Sequence, residues 1–241
     1  MAPRATVRPV PPVFVALIAL VAVAGMAGAY LAWRAEQERL RALEALADEL
    51  GLRFDPHEDE DHDEQYEQFA IFQRGHSRVA TNTLHGSVEL FGRACALRAG
   101  DFTYKETSGT GKSRSTRTYR FSYLIVHPPW ATPGLLVRPE GIFDRIKGAF
   151  GFDDIDFESE EFSRRFWVQS PDKRFAYDVL HPRMIEFLLE SEPPLLEVEH
   201  GALCISDGER RWDQAEFRKH AAFVRRFCEL WPRHLVRELQ S

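Results

Sequence analysis

Cysteine is scarce in this chain. Cys95, Cys204 and Cys228 stand far apart with no CxxC spacing among them, which argues against both a disulfide framework and a zinc ribbon. The expectation is three free thiols, buried as small apolar residues. An excess of positive charge is also missing, since the formal net charge is −6. A general nucleic-acid binder carries a basic surface that neutralises phosphates, so no nucleic-acid partner is predicted. No dinucleotide fingerprint and no zinc ligand set occurs, so no cofactor is implied.

Several catalytic strings are present only in part. GTGKS (Gly109 to Ser113) has the ending of a phosphate-cradling loop, but the glycine required five positions before Gly111 is Glu106. A carboxylate there repels phosphates, and the segment that follows alternates like a strand instead of opening a helix. GHSRV (Gly75 to Val79) has half of a nucleophile elbow, with Val79 where the second glycine belongs and strands continuing where a helix is needed. His57, Glu58 and His62 come close to the zincin helix motif. The two histidines are five apart instead of four, so they do not share a helical face.

What the chain does have is an apolar run. Val10 to Trp33 contains no charged residue, and at about 1.5 Å per residue such a helix spans a hydrocarbon core of about 30 Å. Residues 1–9 then form an N-terminal tail and 10–33 a single transmembrane helix. The alternative is a secretory signal peptide cleaved after Ala27-Gly28-Ala29, but the run is long for that and continues past the site. Arg4 and Arg8 nearly balance Arg34, Arg39 and Arg41 across the span, so the positive-inside rule leans only slightly towards a cytoplasmic body. Free thiols agree with a reducing compartment.

Residues 34–50 read as a juxtamembrane amphipathic helix with Leu40, Leu43, Leu46 and Leu50 on one stripe, closed by Gly51. The stripe is expected to dock on the chain's own body; a homodimer through this helix is the alternative. Residues 51–68 include DPHEDEDHDE, where seven acidic residues suggest a solvated linker.

From Phe69 onward FAIFQRG, VATNTLHGSVELFG, ACALRAGDFTYKE and TYRFSYLIV are rich in β-branched and aromatic residues and broken by glycine. Tyr119, Phe121, Tyr123 and Ile125 share one strand face. A partner strand at Asp101 to Glu106, with Phe102 and Tyr104 inward, makes GTGKS the tip of a long hairpin. Its surplus of basic residues offers Lys112, Arg114 and Arg117 to a protein partner or to lipid headgroups. Ile142 to Phe150 reads as a short helix. Asp154, Asp156 and Glu158 fall on one face of the next strand-like stretch; they fail the EF-hand, which needs glycine at Ser159 and a bidentate acid at Arg165. They are the candidate ligands for the competing reading, a divalent-metal-dependent enzyme. Later segments predict a helix restarted at Pro182, a hairpin turning at His200-Gly201 and a final helix capped by Asp213 and Glu216.

LGLRF, FQRGHSRVATNTLHG, VRPEGIFDRI and GFDDIDFESEEFSRRFWV followed by MIEFLL resemble a widespread bacterial family of membrane-anchored proteins of unknown function, over roughly residues 50–206. The resemblance implies a cytoplasmic body on the inner membrane and carries no catalytic residues. The expectation is α+β: one membrane helix, a juxtamembrane helix and a single domain, residues 69–241, with a hairpin-rich antiparallel sheet and helices on one face. Its predicted job is non-enzymatic, as an interaction or envelope-associated module.

Overall fold

Once Pro12 takes the first helical position, where a missing N–H costs least, nothing before Gly51 interrupts the helix. The computed structural model describes residues 12–140 and 155–240, which fall into two units, residues 1–42 and 43–241. Helix α1 (Pro12–Leu50) runs unbroken through the apolar stretch and the charged one. Val13, Leu20, Met26 and Trp33 are all exposed; a helix apolar on every side and buried on none suits hydrocarbon. Gly51, at φ +68°, closes it in a Schellman geometry, with Leu52 N–H donating to Ala47 O at 2.8 Å and Gly51 N–H to Asp48 O at 3.2 Å. In its last two turns Leu43, Leu46 and Ala47 are buried in the body's core. This is the intramolecular docking expected of the leucine stripe, and each such leucine stabilises by roughly 1.5–3 kcal/mol.

The body is built on one antiparallel sheet of eight strands in the order β1-β2-β3-β4-β8-β7-β5-β6. They are β1 (Arg53–Asp55), β2 (His76–Leu90), β3 (Arg93–Ser108), β4 (Ser115–His127), β5 (Leu135–Pro139), β6 (Phe166–Gln169), β7 (Leu195–Glu199) and β8 (Ala202–Ser206). Alternation sends side chains to two cores. On one face Leu97, Leu124, Val126, Leu203 and Ile205 pack with the end of α1 and residues of α3 (Glu160–Arg165), α4 (Lys173–Val179), α5 (Pro182–Ser191), α6 (Gln214–Glu229) and α7 (Arg233–Leu239). On the other, Phe102, Tyr104, Phe121, Tyr123 and Ile125 meet Tyr66, Phe69, Ile71 and Phe72, which lie in and around the short α2 (His62–Gln65) and a 3-10 turn at Ala70–Gln73. The fold is thus α+β, with the long helices on one face.

The predicted hairpins are present. Phe102 faces Phe121 and Tyr104 faces Tyr119 in the β3–β4 register. His200 and Gly201, both at positive φ, turn β7 into β8. Pro182 opens α5, and Asp213 with Glu216 forms a complete capping box on α6.

Three readings are corrected. Residues 51–68 are not a free linker. β1 pairs with β2, Asp59 bridges Ala80, and His62 and Tyr66 are buried, because Arg98 and Arg78 neutralise Asp59 and Asp63. FAIFQRG forms the 3-10 turn instead of a strand. Ile155 donates to Val168 O at 3.0 Å, but Asp156 and Glu158 lie outside any strand, so no ladder holds them as a shared face. Asp154 and the helix expected at Ile142 to Phe150 lie outside the described residues.

Candidate functional site

In the β3–β4 hairpin, β4 extends well past its neighbour β8, which pairs with it only from Leu124 to Val126, while β2 accompanies β3 as far as Lys105. Gly109 and Gly111, at φ +83° and +58°, allow the tip to reverse within a few residues. Below the tip Thr107 Oγ1 and Thr116 Oγ1 are 3.0 Å apart, and the Tyr104 and Tyr119 rings stack at 5.0 Å. Arg117 lies over the Tyr119 ring at 5.1 Å, on the face opposite to Arg120. Arg114, Arg117 and Arg120 are exposed. Glu106, the nearest acid in the register, is engaged by Arg74 at 3.8 Å. Among the described residues no carboxylate lies within ion-pair distance of Lys105, Arg114, Arg117 or Arg120. The side chain of Lys112 lies outside the description. Two of the three predicted contact residues, Arg114 and Arg117, thus stand together on one uncompensated basic prong.

A second polar feature is a hollow of about 350 Å³ lined by Asp55, His57, Glu58, Asp59, Thr83, His85 and Arg98. Arg98 pairs with Asp59 and donates to Gln65 Oε1 at 3.0 Å. His57 Nδ1 sits 2.6 Å from Asp55 Oδ1, and the hydrogen bonds from His57 hold the Asp55 carboxyl below its ordinary range. Among the described residues no group of three His, Cys, Asp or Glu side chains can hold a metal ion. Asp156 and Glu158 are exposed; their partner in the metal reading, Asp154, is not described.

His62 is fully buried. Its ring contacts Tyr66, Phe72 and Tyr123 at 4.6–4.7 Å between centroids, and neither ring nitrogen has a hydrogen-bond partner. Burial, with help from the charge on Arg98, pushes its pKa down to about 3, so it is a neutral core ring. Sequence reasoning placed this residue in a solvated run. The usable signal was the string of aromatics that follows it, Tyr66, Phe69 and Phe72.

The three cysteines are buried, and Ser122 and His76 are each held in hydrogen bonds. Burial pushes the Cys95, Cys204 and Cys228 thiols up, away from the thiolate that reacts. Ser122 Oγ donates to Asp101 Oδ1 at 2.6 Å and accepts from Trp212 N–H at 2.8 Å. With Asn82 Nδ2 also donating to Asp101, at 3.0 Å, this buried knot fastens the chain around Trp212 to the sheet. His76 lies within 3.1 Å of Ser77 Oγ and 3.0 Å of Thr107 Oγ1, on an exposed strand and not at an elbow. An open groove of about 550 Å³ runs between α6 and the sheet. Leu50, Val88 and Leu97 are among its apolar lining, and Arg218 on its wall forms a two-pronged ion pair with Glu49.

No family model matches the chain, and no curated protein is significantly similar to it. A solved structure is similar: that of the mycobacterial trehalose monomycolate transport factor A, TtfA. The likeness covers 80% of this chain and 93% of that one, at a TM-score of 0.54 and 14% identity. The two proteins share a fold.

Proposed function

We propose that this chain is a membrane-anchored, non-enzymatic module of the bacterial cell envelope that acts by binding a partner protein. The observation that carries the reading is the joint presence of the apolar helix α1 and a body with the fold of a protein named as a transport factor for trehalose monomycolate. Family membership with the uncharacterised bacterial membrane-anchored proteins it resembles, an inner-membrane location and a cytoplasmic body belong to the same proposal. The partner surface is the hairpin prong, with Lys112, Arg114 and Arg117 as the contact residues. Arg114 and Arg117, with no carboxylate within ion-pair distance among the described residues, steer an anionic surface towards it and contribute more to rate and selectivity than to affinity.

The test is crosslinking in living cells from a photoreactive residue at position 116 of the full chain, an exposed site on the same prong. A discrete crosslinked species is expected, and it should disappear when Lys112, Arg114 and Arg117 are all changed to Glu. If the same species persists after that charge reversal, the prong is not the contact surface.

A further inference from the structure

The basic prong has an open strand edge as well as a charge. Ser122 N–H donates to Arg210 O at 3.0 Å, and Ser122 O accepts from Ser206 Oγ at 2.7 Å. Both bonds leave β4 on the side away from β3. Backbone groups along a strand point alternately to its two sides, so Thr116, Thr118 and Arg120 aim their N–H and C=O the same way as Ser122. The β8 register stops at Leu124, and Arg210 covers the edge only at Ser122. From Arg120 to Ser115 no described residue pairs with that side of β4. Five of these six residues are exposed and Tyr119 is half-buried.

We propose that the outer edge of β4, from Ser115 to Arg120, takes up an extended acidic segment of a partner protein as an added strand of the sheet. The inference deepens the hairpin reading and rests on it. An edge of this length offers three residues' worth of outward donors and acceptors, which a peptide in β conformation satisfies through its own main chain. Charge decides the class of peptide. Arg117 and Arg120 stand on opposite faces of the strand, with Arg114 at its start, so carboxylates on either face of an incoming strand find a cation. The same arginines argue against a second copy of this chain as the occupant: a two-fold pairing of β4 edges gathers all six arginines at one seam, and like charges across a pair are destabilising. Basic residues on an edge therefore keep it from pairing with itself while leaving it open to an acidic strand.

The test uses the full chain in detergent micelles and a fluorescent nine-residue probe of alternating glutamate and valine, read by anisotropy and by hydrogen exchange of the β4 amides. Binding is expected, with slowed exchange at residues 116, 118 and 120. Thr118→Pro removes an outward N–H without removing a β3–β4 ladder bond, a position where an edge strand tolerates proline. It should weaken binding roughly tenfold. The same probe N-methylated at alternate amides should not bind to the unmodified protein, which keeps the test informative if the proline variant does not fold. If Arg114→Glu, Arg117→Glu and Arg120→Glu together abolish binding while N-methylation leaves it unchanged, the prong acts by charge alone: the added strand is refuted and the hairpin reading stands. If neither change affects binding, or the probe does not bind at all, the added strand is refuted, and the hairpin reading is judged by the crosslinking result.

Discussion

Burial opposes the charged forms of both His62 and Glu197, and they act in opposite pH windows. The His62 ring has an ordinary pKa of 6.5 and one of about 3 in the fold. The unfolded chain therefore binds the extra proton below pH 6.5, and stability falls as the pH drops from 6.5 towards 3. His62→Phe should remove that loss, since an aromatic ring without polar atoms suits a cage of aromatic residues. In chemical denaturation at pH 5 and pH 7.5, the stability gap between the two pH values should shrink in the variant. Glu197 is buried on β7, with Oε1 unpartnered. Burial first, and then the charge on Glu199, raise its pKa from 4.5 to about 8. Here the folded state holds the extra proton, so stability falls as pH rises from 4.5 to about 8, by up to about 1.4 kcal/mol per pH unit. Glu197→Gln mimics the protonated acid; its stability should match the parent's near pH 4.5 and exceed it increasingly towards pH 8. Neither residue was legible as buried in the sequence. Glu197 stands in LLEVE between Leu196 and Val198, where alternation alone places it on the face opposite to theirs, and only the layer over that face buries it.

At the scale of elements, legibility followed local chemistry. The β3–β4 hairpin was readable because aromatics alternate on both strands and glycines mark the tip. The end of α1, the capping box of α6 and the β7–β8 turn were readable because Gly51, Asp213 with Glu216, and His200-Gly201 satisfy backbone groups within a few residues of themselves. The segment 51–68 was misread because its fate depends on arginines from distant strands: Arg98 and Arg78 turn a repelling acidic run into paired structure. Two element-level substitutions test these causes. Asp213→Ala removes the bond that Glu216 N–H donates to Asp213 Oδ1 and should cost about 1 kcal/mol in a denaturant titration. Gly75 has φ +59°, and a Cβ there collides with the Lys105 carbonyl; Gly75→Ala should cost more, on the order of 2 kcal/mol, because both strain and overlap oppose it. If the cap change proves the larger, the close approach of β2 to β3 at Gly75 does not constrain the fold.

For the molecule as a whole, the apolar helix, the α+β class and the antiparallel sheet were all expected from the sequence, and the fold is shared with TtfA at 14% identity. Hydrophobic patterning survives where residue identity does not, because burial constrains volume and polarity more tightly than exact side chains. The candidate partner site was legible as a basic hairpin. Its open edge was not, since which flank of β4 lacks a neighbour depends on where β8 ends. On the proposed reading, α1 keeps the body attached to a membrane. The most direct test of this attachment is alkaline extraction of membranes from cells making the full chain, followed by mass determination of the N-terminus. An intact protein that stays in the membrane pellet is expected; a mature chain beginning at Tyr30 in the soluble extract would rule the anchor out.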